Sequence, residues 1–163
     1  MACLCQHFAV GGEISHVLSL LDQAVSINKQ SYEAYLQRGF VYIDMKNATK
    51  AKEDLQQAYL LRPDASAVSL GLGRIAMLNR ETSEAWRMLT TALGQAKTDL
   101  EQAQAYFWRA QAFESAKQFS QATADWNELV RLPSSPGLIL PLRARASHRP
   151  QPVFPSTPPP RTP

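Results

Sequence analysis

Residues 35–63 read YLQRGFVYIDMKNATKAKEDLQQAYLLRP, and the spacing of small and apolar residues in this stretch recurs along the chain. Five positions recur at an offset of 34, so that Leu36, Gly39, Ala51, Leu55 and Ala58 correspond to Leu70, Gly73, Ala85, Leu89 and Ala92. A further offset of 37 leads to Phe107, Ala110, Ala122, Trp126 and Leu129. Counting back by 34 leads to Cys5, Val17, Leu21 and Ala24. A period of this length is typical of stacked repeats, here three units preceded by part of another.

Each unit is predicted to form two antiparallel helices. In the first unit, Tyr35, Leu36, Gly39, Tyr42 and Ile43 are spaced by three or four residues or adjoin, which places them on one helical face. Residues 46–47 are predicted to form the turn, and the second helix ends before the proline at position 63, because proline cannot continue the helical hydrogen bonds. A glycine inside a helix costs about 1 kcal/mol relative to alanine, so the recurring glycine predicts a place from which bulk is excluded.

The third unit begins with a helix-start signal. Thr98 and Glu101 have the spacing of a capping box, which predicts that a helix starts here. The offset of 37 adds three residues to the period of 34. We expect the additional residues to lie in the connection at residues 95–99.

The pattern resembles that of the tetratricopeptide repeat family, in which an aromatic, a small and a second aromatic residue are followed by alanine, an apolar residue, alanine and proline. The first unit matches this pattern at Tyr35, Gly39, Tyr42, Ala51, Leu55, Ala58 and Pro63. The resemblance implies an all-α fold, a right-handed superhelix of about three helical hairpins plus a partial N-terminal repeat. The expected divisions are a partial repeat at residues 1–30, three hairpins at 31–133 and a disordered tail at 134–163.

The resemblance also implies that the first helix of each unit lines a concave groove, which holds a peptide or a segment of a partner protein. The expected groove residues are mostly apolar, namely Leu36, Phe40, Ile43, Leu70, Arg74, Met77, Phe107 and Gln111. This composition predicts a partner with apolar side chains and leaves Arg74 available to a carboxylate. The alternative is that Leu36, Leu70 and Phe107 simply pack between neighbouring helices.

Two other functions are weighed against partner binding. Helical hairpin repeats of similar period also bind single-stranded RNA, but that task needs a cationic track for the phosphates. Arg74 is accompanied in the groove by Glu33, Asp44 and Glu114, so nucleic acid is not expected. An enzyme is not expected either, because the sequence has three histidines, no phosphate-binding glycine loop and no two-histidine metal motif. No cofactor is predicted.

The last 30 residues differ in composition from the rest of the chain. Ten of the eleven prolines lie from Pro133 onward, and this stretch has four of the 17 basic residues but no acidic one. Such a composition predicts disorder with extended polyproline segments. Residues 149–155, which read RPQPVFP, fit the arginine-led spacing of ligands for Src-homology-3 domains, with an unstructured spacer as the alternative.

The remaining features concern location and assembly. No stretch reaches the roughly 18 continuous apolar residues of a membrane helix, and the first residues lack the features of a secretory signal, so we expect a cytoplasmic protein. Cys3 and Cys5 are predicted to be free thiols rather than metal ligands or a disulfide. Stacked repeats normally finish with a helix whose outer face is polar, and none is evident after Leu132. We therefore expect a fragment, a variant with an altered tail, or self-association through exposed ends.

Overall fold

The computed structural model describes residues 11–133, and all regular structure in this part of the chain is helical. Seven helices follow one another, namely α1 (Gly11–Ile27), α2 (Tyr32–Asp44), α3 (Ala48–Leu61), α4 (Ser66–Leu78), α5 (Thr82–Gln95), α6 (Asp99–Ser115) and α7 (Phe119–Arg131). The most extensive contacts join α2 to α3, α4 to α5 and α6 to α7, and α1 packs on α2. The prediction of three hairpins preceded by part of another repeat is confirmed. The expected tail, Cys3 and Cys5 lie outside the described residues.

The first helices of the hairpins form a continuous layer. Helix α4 contacts both α2 and α6, whereas the second helices α3, α5 and α7 make no contact with one another. The array is therefore tighter on the side of the first helices, so that α2, α4 and α6 lie on its concave face and α3, α5 and α7 on its convex face. This arrangement agrees with the expected superhelix of helical pairs.

The core is built from small residues facing leucines. Leu55 and Leu89 are completely buried, and each lies against a glycine of the first helix in its own hairpin. A Cβ atom added at Gly39 would lie 3.1 Å from Leu55 Cγ, and one added at Gly73 would lie 2.6 Å from Leu89 Cγ. The prediction that bulk is excluded at these glycines is confirmed. Burial of each leucine contributes about 1.5–3 kcal/mol relative to an exposed one. This gain, which the close approach of the two helices at glycine permits, offsets the low helix propensity of glycine.

The turn inside each hairpin has the same unusual backbone conformation. Lys46, Arg80 and Lys117 have φ angles of 58°, 63° and 60°. Around Lys46, the Asn47 N–H donates to the Tyr42 carbonyl at 2.8 Å and the Lys46 N–H donates to the Ile43 carbonyl at 2.9 Å. These are the two hydrogen bonds of a Schellman motif, which usually has glycine at the left-handed position. The predicted turn at residues 46–47 is confirmed, but no glycine indicates its conformation in this sequence.

The start of α6 corrects one prediction. The Thr98 hydroxyl accepts a hydrogen bond from the Glu101 N–H at 3.2 Å, and a Glu101 carboxylate oxygen accepts from the Thr98 N–H at 3.1 Å, so the capping box is confirmed. The three additional residues were expected in the connection at 95–99, and this placement is wrong. Helix α6 has 17 residues and α4 has 13, because the capping box starts α6 earlier and absorbs the insertion into the helix.

Among the described residues, no helix combines the length and apolar character that crossing a membrane requires.

Candidate partner-binding face

Half of the predicted groove residues lie in the interior. Leu36, Ile43, Leu70 and Phe107 are only 4–6% exposed, and each belongs to a cluster of apolar side chains that joins neighbouring helices. The sequence pattern assigned them to the groove surface, but the structure buries them because the first helices pack directly side by side. Little of their surface is left for a partner.

The other four predicted residues keep part of their surface. Phe40, Arg74, Met77 and Gln111 are all half-buried on the first helices. Phe40 and Met77 pack against the apolar cluster beneath them, so each offers only its outer part. The face that remains is therefore smaller than the predicted groove, and it is centred on α4.

Arg74 connects the three first helices. Its guanidinium carbon lies 5.5 Å from the centre of the Phe40 ring on α2 and 4.4 Å from the centre of the Trp108 ring on α6. The Nη2 atom donates to Asp44 Oδ1 at 2.6 Å. A cation over aromatic faces contributes about 0.5–2 kcal/mol, more when water is excluded. We call these four residues, Phe40, Asp44, Arg74 and Trp108, the arginine stack.

Trp108 was not among the predicted groove residues. It follows Arg74 by 34 residues, just as Arg74 follows Phe40 by 34, and this equal spacing was the available signal. The third repeat is offset by 37, so that Gln111 corresponds to Arg74 and Trp108 corresponds to Gly71. Gly71 also faces the preceding first helix, where a Cβ atom added to it would lie 3.4 Å from the Phe40 ring.

The charge on this face is balanced within the chain. Arg74, whose side chain is 13% exposed, is paired with Asp44, whose side chain is 43% exposed. The predicted availability of Arg74 to a partner's carboxylate is thus limited, because such a carboxylate would compete with Asp44. Glu114 accepts a hydrogen bond from the Trp126 indole at 2.9 Å, and Glu33 lies 3.3 Å from Arg62. The first helices therefore offer aromatic, apolar and amide groups rather than a row of unpaired cations.

The largest pKa shifts lie away from this face. The Asp54 carboxylate, hydrogen-bonded to Arg38, raises the pKa of that guanidinium above its usual range. Asp125 raises the pKa of Arg109 in the same way. Burial raises the pKa of Tyr32 to about 12. Within residues 11–133, no three histidine, cysteine, aspartate or glutamate side chains come together as metal ligands would. The two arginine shifts belong to ion pairs between helices, and the tyrosine shift comes mainly from burial.

Comparison with known proteins gives one matched repeat and a shared fold. Residues 32–65 match the model of the tetratricopeptide repeat family. A crystal structure of a tetratricopeptide repeat protein from Parabacteroides merdae ATCC 43184 superimposes with a TM-score of 0.68 at 19% identity, covering 83% of this chain and 52% of that chain. This chain therefore spans about half the length of that relative. No curated protein matches the sequence.

Two crystal structures of the protein MamA share the fold. One has a TM-score of 0.61 at 18% identity and covers 87% of this chain and 91% of that chain. The other has a TM-score of 0.60 at 18% identity, with 83% and 78% covered. The chain thus has one segment that matches a tetratricopeptide repeat, and it shares the fold of a tetratricopeptide repeat protein. Repeats of this class are, in general, scaffolds for protein–protein interaction.

Proposed function

We propose that this protein is a non-catalytic scaffold that binds a segment of a protein partner on the concave face formed by α2, α4 and α6. The observation that carries the proposal is the arginine stack, which joins three successive repeats at one half-exposed place. Tryptophan and arginine are the residue types that most often dominate binding energy at protein interfaces. A partner that lies across the three first helices would contact this stack together with Met77 and Gln111.

The chemistry of the face favours a partner with apolar side chains. The outer parts of Phe40, Met77 and Trp108 provide apolar surface, and the half-buried Gln111 provides an amide that can pair with a peptide backbone. A neutral or weakly charged segment suits the face, since Asp44 already neutralises Arg74. An amphipathic helix or an extended strand laid across α4 would meet these requirements.

Single-stranded RNA remains the alternative ligand, and it has less support. A phosphate backbone is held by a track of unpaired cations, and its binding weakens steeply with salt. Arg74 lies at the centre of the described concave face, and its charge is already paired with that of Asp44. We expect no salt-sensitive binding of single-stranded RNA, which a titration with labelled oligonucleotides at two salt concentrations would measure.

The test is selection of peptide ligands on the full chain, followed by calorimetry with variants. Met77→Glu and Gln111→Glu each place a carboxylate on the face, and each is expected to weaken binding of selected peptides at least about tenfold, because an unpaired charge opposes an apolar contact. Asn127→Glu adds the same charge on an exposed position of α7 and is the matched control. Melting temperatures of the three variants establish that each is folded. Peptides that bind all three variants as tightly as the parent chain would contradict the proposal.

The cytoplasmic location is part of the same proposal. Its support is the pair Cys3 and Cys5, whose close spacing suits free thiols in a reducing compartment. Imaging of a tagged full chain is the direct test.

A further inference from the structure

Two arginines bridge second helices that do not otherwise touch. Arg38 on α2 donates to Asp54 on α3 at 2.8 and 2.6 Å and to Asp22 on α1 at 2.8 Å. Arg38 thus closes the gap between α1 and α3 on the convex face. Its side chain is 17% exposed and that of Asp54 is 6% exposed, so the bridge is largely shielded from water.

The third repeat has the same bridge. Arg109 on α6 donates to Asp125 on α7 at 2.8 and 2.7 Å and to the Thr90 hydroxyl on α5 at 3.1 Å. Arg109 follows Arg38 by the sum of the two repeat offsets, and Asp125 follows Asp54 by the same distance. The gap between α5 and α7 is therefore closed in the same manner as the gap between α1 and α3.

The middle repeat has no such bridge. Leu72 on α4 occupies the position of the arginine, Met88 on α5 that of the aspartate, and Gln56 on α3 that of Asp22. Since neither apolar side chain can reach across with a hydrogen bond, the gap between α3 and α5 stays open. The result is a cleft of about 800 Å³, with α4 as its floor. We call it the α3–α5 cleft.

The lining of the α3–α5 cleft is predominantly apolar with amide groups at its sides. Leu72, Ile75, Ala76 and Met88 form the apolar part, and Gln56 is one of the amides. At the rim, Tyr59 is 47% exposed and Leu60 is 74% exposed. The rim carries two carboxylates, Glu81 and Glu84, and two cations, Lys52 and Arg87, and Glu84 is paired with Arg87 at 2.6 Å. A fitting ligand therefore has apolar side chains, backbone carbonyls that accept from the amides, and no more than a single cation, placed at Glu81.

One segment of this chain outside the described residues has these properties. We propose that residues 149–155, RPQPVFP, dock in the α3–α5 cleft of the same molecule. Val153 and Phe154 supply the apolar groups. A proline-rich stretch forms polyproline helix without internal hydrogen bonds, so its carbonyls remain free to accept from the cleft's amides. Arg149 supplies a cation for Glu81, whereas Glu84 is already paired with Arg87.

The length of the connecting chain selects this segment. The described residues end at Pro133, directly after α7, and the α3–α5 cleft lies beyond α5. With adjacent helices packed about 8–10 Å apart, that path is roughly 20–30 Å long. Leu138 and Leu142 follow Pro133 by five and nine residues and reach at most about 17 and 30 Å, whereas Arg149 follows it by sixteen and reaches up to about 50 Å. Residues 138–142 would therefore reach the cleft only at full extension, while residues 149–155 reach it with length to spare.

Attachment to the same chain makes a weak contact sufficient. Short linkers give effective concentrations in the millimolar range, so docking of a segment of the same chain needs no high intrinsic affinity. The α3–α5 cleft is on the convex face, so the inference does not depend on the proposed function of the concave face. Docking would withhold RPQPVFP from a Src-homology-3 partner until the segment is displaced.

The test is disulfide formation in the full chain at low protein concentration. Cys3 and Cys5 are replaced by serine, and Val153→Cys is combined with either Gln56→Cys in the cleft or Asn127→Cys on α7 as the matched control. The control position is nearer to residue 153 along the chain, so an undocked segment would react with it at least as fast. We expect the Gln56→Cys pair to close at least about tenfold faster as an intramolecular bond.

Two further variants identify the cause. Leu72→Arg with Met88→Asp rebuilds the bridge of the first and third repeats and should remove the rate advantage of the Gln56→Cys pair. Phe154→Asp leaves the sequence of all seven described helices unchanged, so it tests the same point even where the double substitution fails to fold. The proposal would be overturned by equal rates of bond formation for the two cysteine pairs. It would also be overturned if the faster rate persisted in Phe154→Asp, or if the disulfide formed only between molecules.

Discussion

Arg38 and Asp54 form a two-point ion pair between α2 and α3, in which Nε and Nη2 donate to the two carboxylate oxygens at 2.8 and 2.6 Å. The Asp54 residue is 4% exposed. Paired, charge-assisted hydrogen bonds of this kind fix geometry as well as supply energy. Arg109 and Asp125 repeat the arrangement in the third hairpin.

Removal of one partner from this pair should be costly. Asp54→Ala leaves the Arg38 guanidinium without its main acceptor in a largely buried place, and we expect the free energy of unfolding to fall by about 3–5 kcal/mol. The double substitution Arg38→Leu with Asp54→Met copies the residues of the middle repeat and should restore most of this loss, since well-packed apolar replacements of buried pairs are often neutral. Urea unfolding of the three chains measures both effects. A double variant as unstable as Asp54→Ala would contradict the expectation.

Glycine at the left-handed turns should stabilise the hairpins. Lys46 and Lys117 have positive φ, which costs a residue with a side chain about 1–2 kcal/mol, and glycine avoids this cost at the expense of greater freedom in the unfolded chain. Lys46→Gly and Lys117→Gly should each raise the unfolding free energy by up to about 1 kcal/mol. Lys52→Gly, on an exposed helical position of α3, is the matched control and should lower it by about 1 kcal/mol. Thermal melting distinguishes these signs, and a loss at Lys46→Gly would count against the turn geometry.

Two glycines on neighbouring helices should respond oppositely to alanine. At Gly73 a Cβ atom would lie 2.6 Å from Leu89 Cγ, a branch point that cannot move without the whole side chain, whereas Gly94 has nothing within 4 Å. We expect Gly73→Ala to destabilise by about 1–2 kcal/mol, because overpacking exceeds the gain in helix propensity. Gly94→Ala should be neutral or stabilising by up to about 1 kcal/mol. Denaturant midpoints provide the comparison, and equal shifts for both substitutions would contradict the close packing of α4 on α5.

The buried tyrosine at the start of α2 should make stability depend on alkaline pH. Burial is the main cause that raises the pKa of Tyr32 from 10.0 to about 12, and Glu33 adds to it. A raised pKa in the folded state means that the contribution is fully present below pH 10 and is lost as the pH rises towards 12. The loss attributable to Tyr32 should reach at most about 2–3 kcal/mol. The unfolding free energies of the parent chain and of Tyr32→Phe, compared at both ends of this pH range, isolate the loss due to Tyr32. If Tyr32→Phe keeps the pH profile of the parent chain, the assignment is wrong.

The repeat register was the part of the fold most accessible from sequence. The recurrence of Gly39 at Gly73 and the capping box at Thr98 can both be predicted from the local sequence. The length of α6 was not accessible, because an insertion of three residues fits a loop or a helix equally well. The left-handed turns could not be predicted either, because the packing of two helices imposes a positive φ angle on Lys46, which lysine does not favour.

The binding face was predicted less well than the fold. Periodicity identifies which side of a helix is apolar, but it does not separate residues that touch a neighbouring helix from those that remain outside. Leu36 and Phe107 are apolar for the first reason. The arginine stack depends on distances between three helices, and Trp108 enters it from the position that Gly71 holds in the second repeat. The missing bridge at Leu72 and Met88 could not be predicted from sequence, because the spacing of residues does not show that Arg38 and Arg109 span the gaps between helices.

The absence of contact between successive second helices has a mechanical consequence. A change in curvature opens or narrows the convex gaps between α3 and α5 and between α5 and α7, whose backbones do not approach closely, while the first helices stay in contact along the array. Arg38 and Arg109 link the helices of the first and third repeats. The middle repeat has no such link, so we expect it to bend most easily. Pairs of spin labels on α3 and α5 should therefore report a broader spread of distances than pairs on α5 and α7.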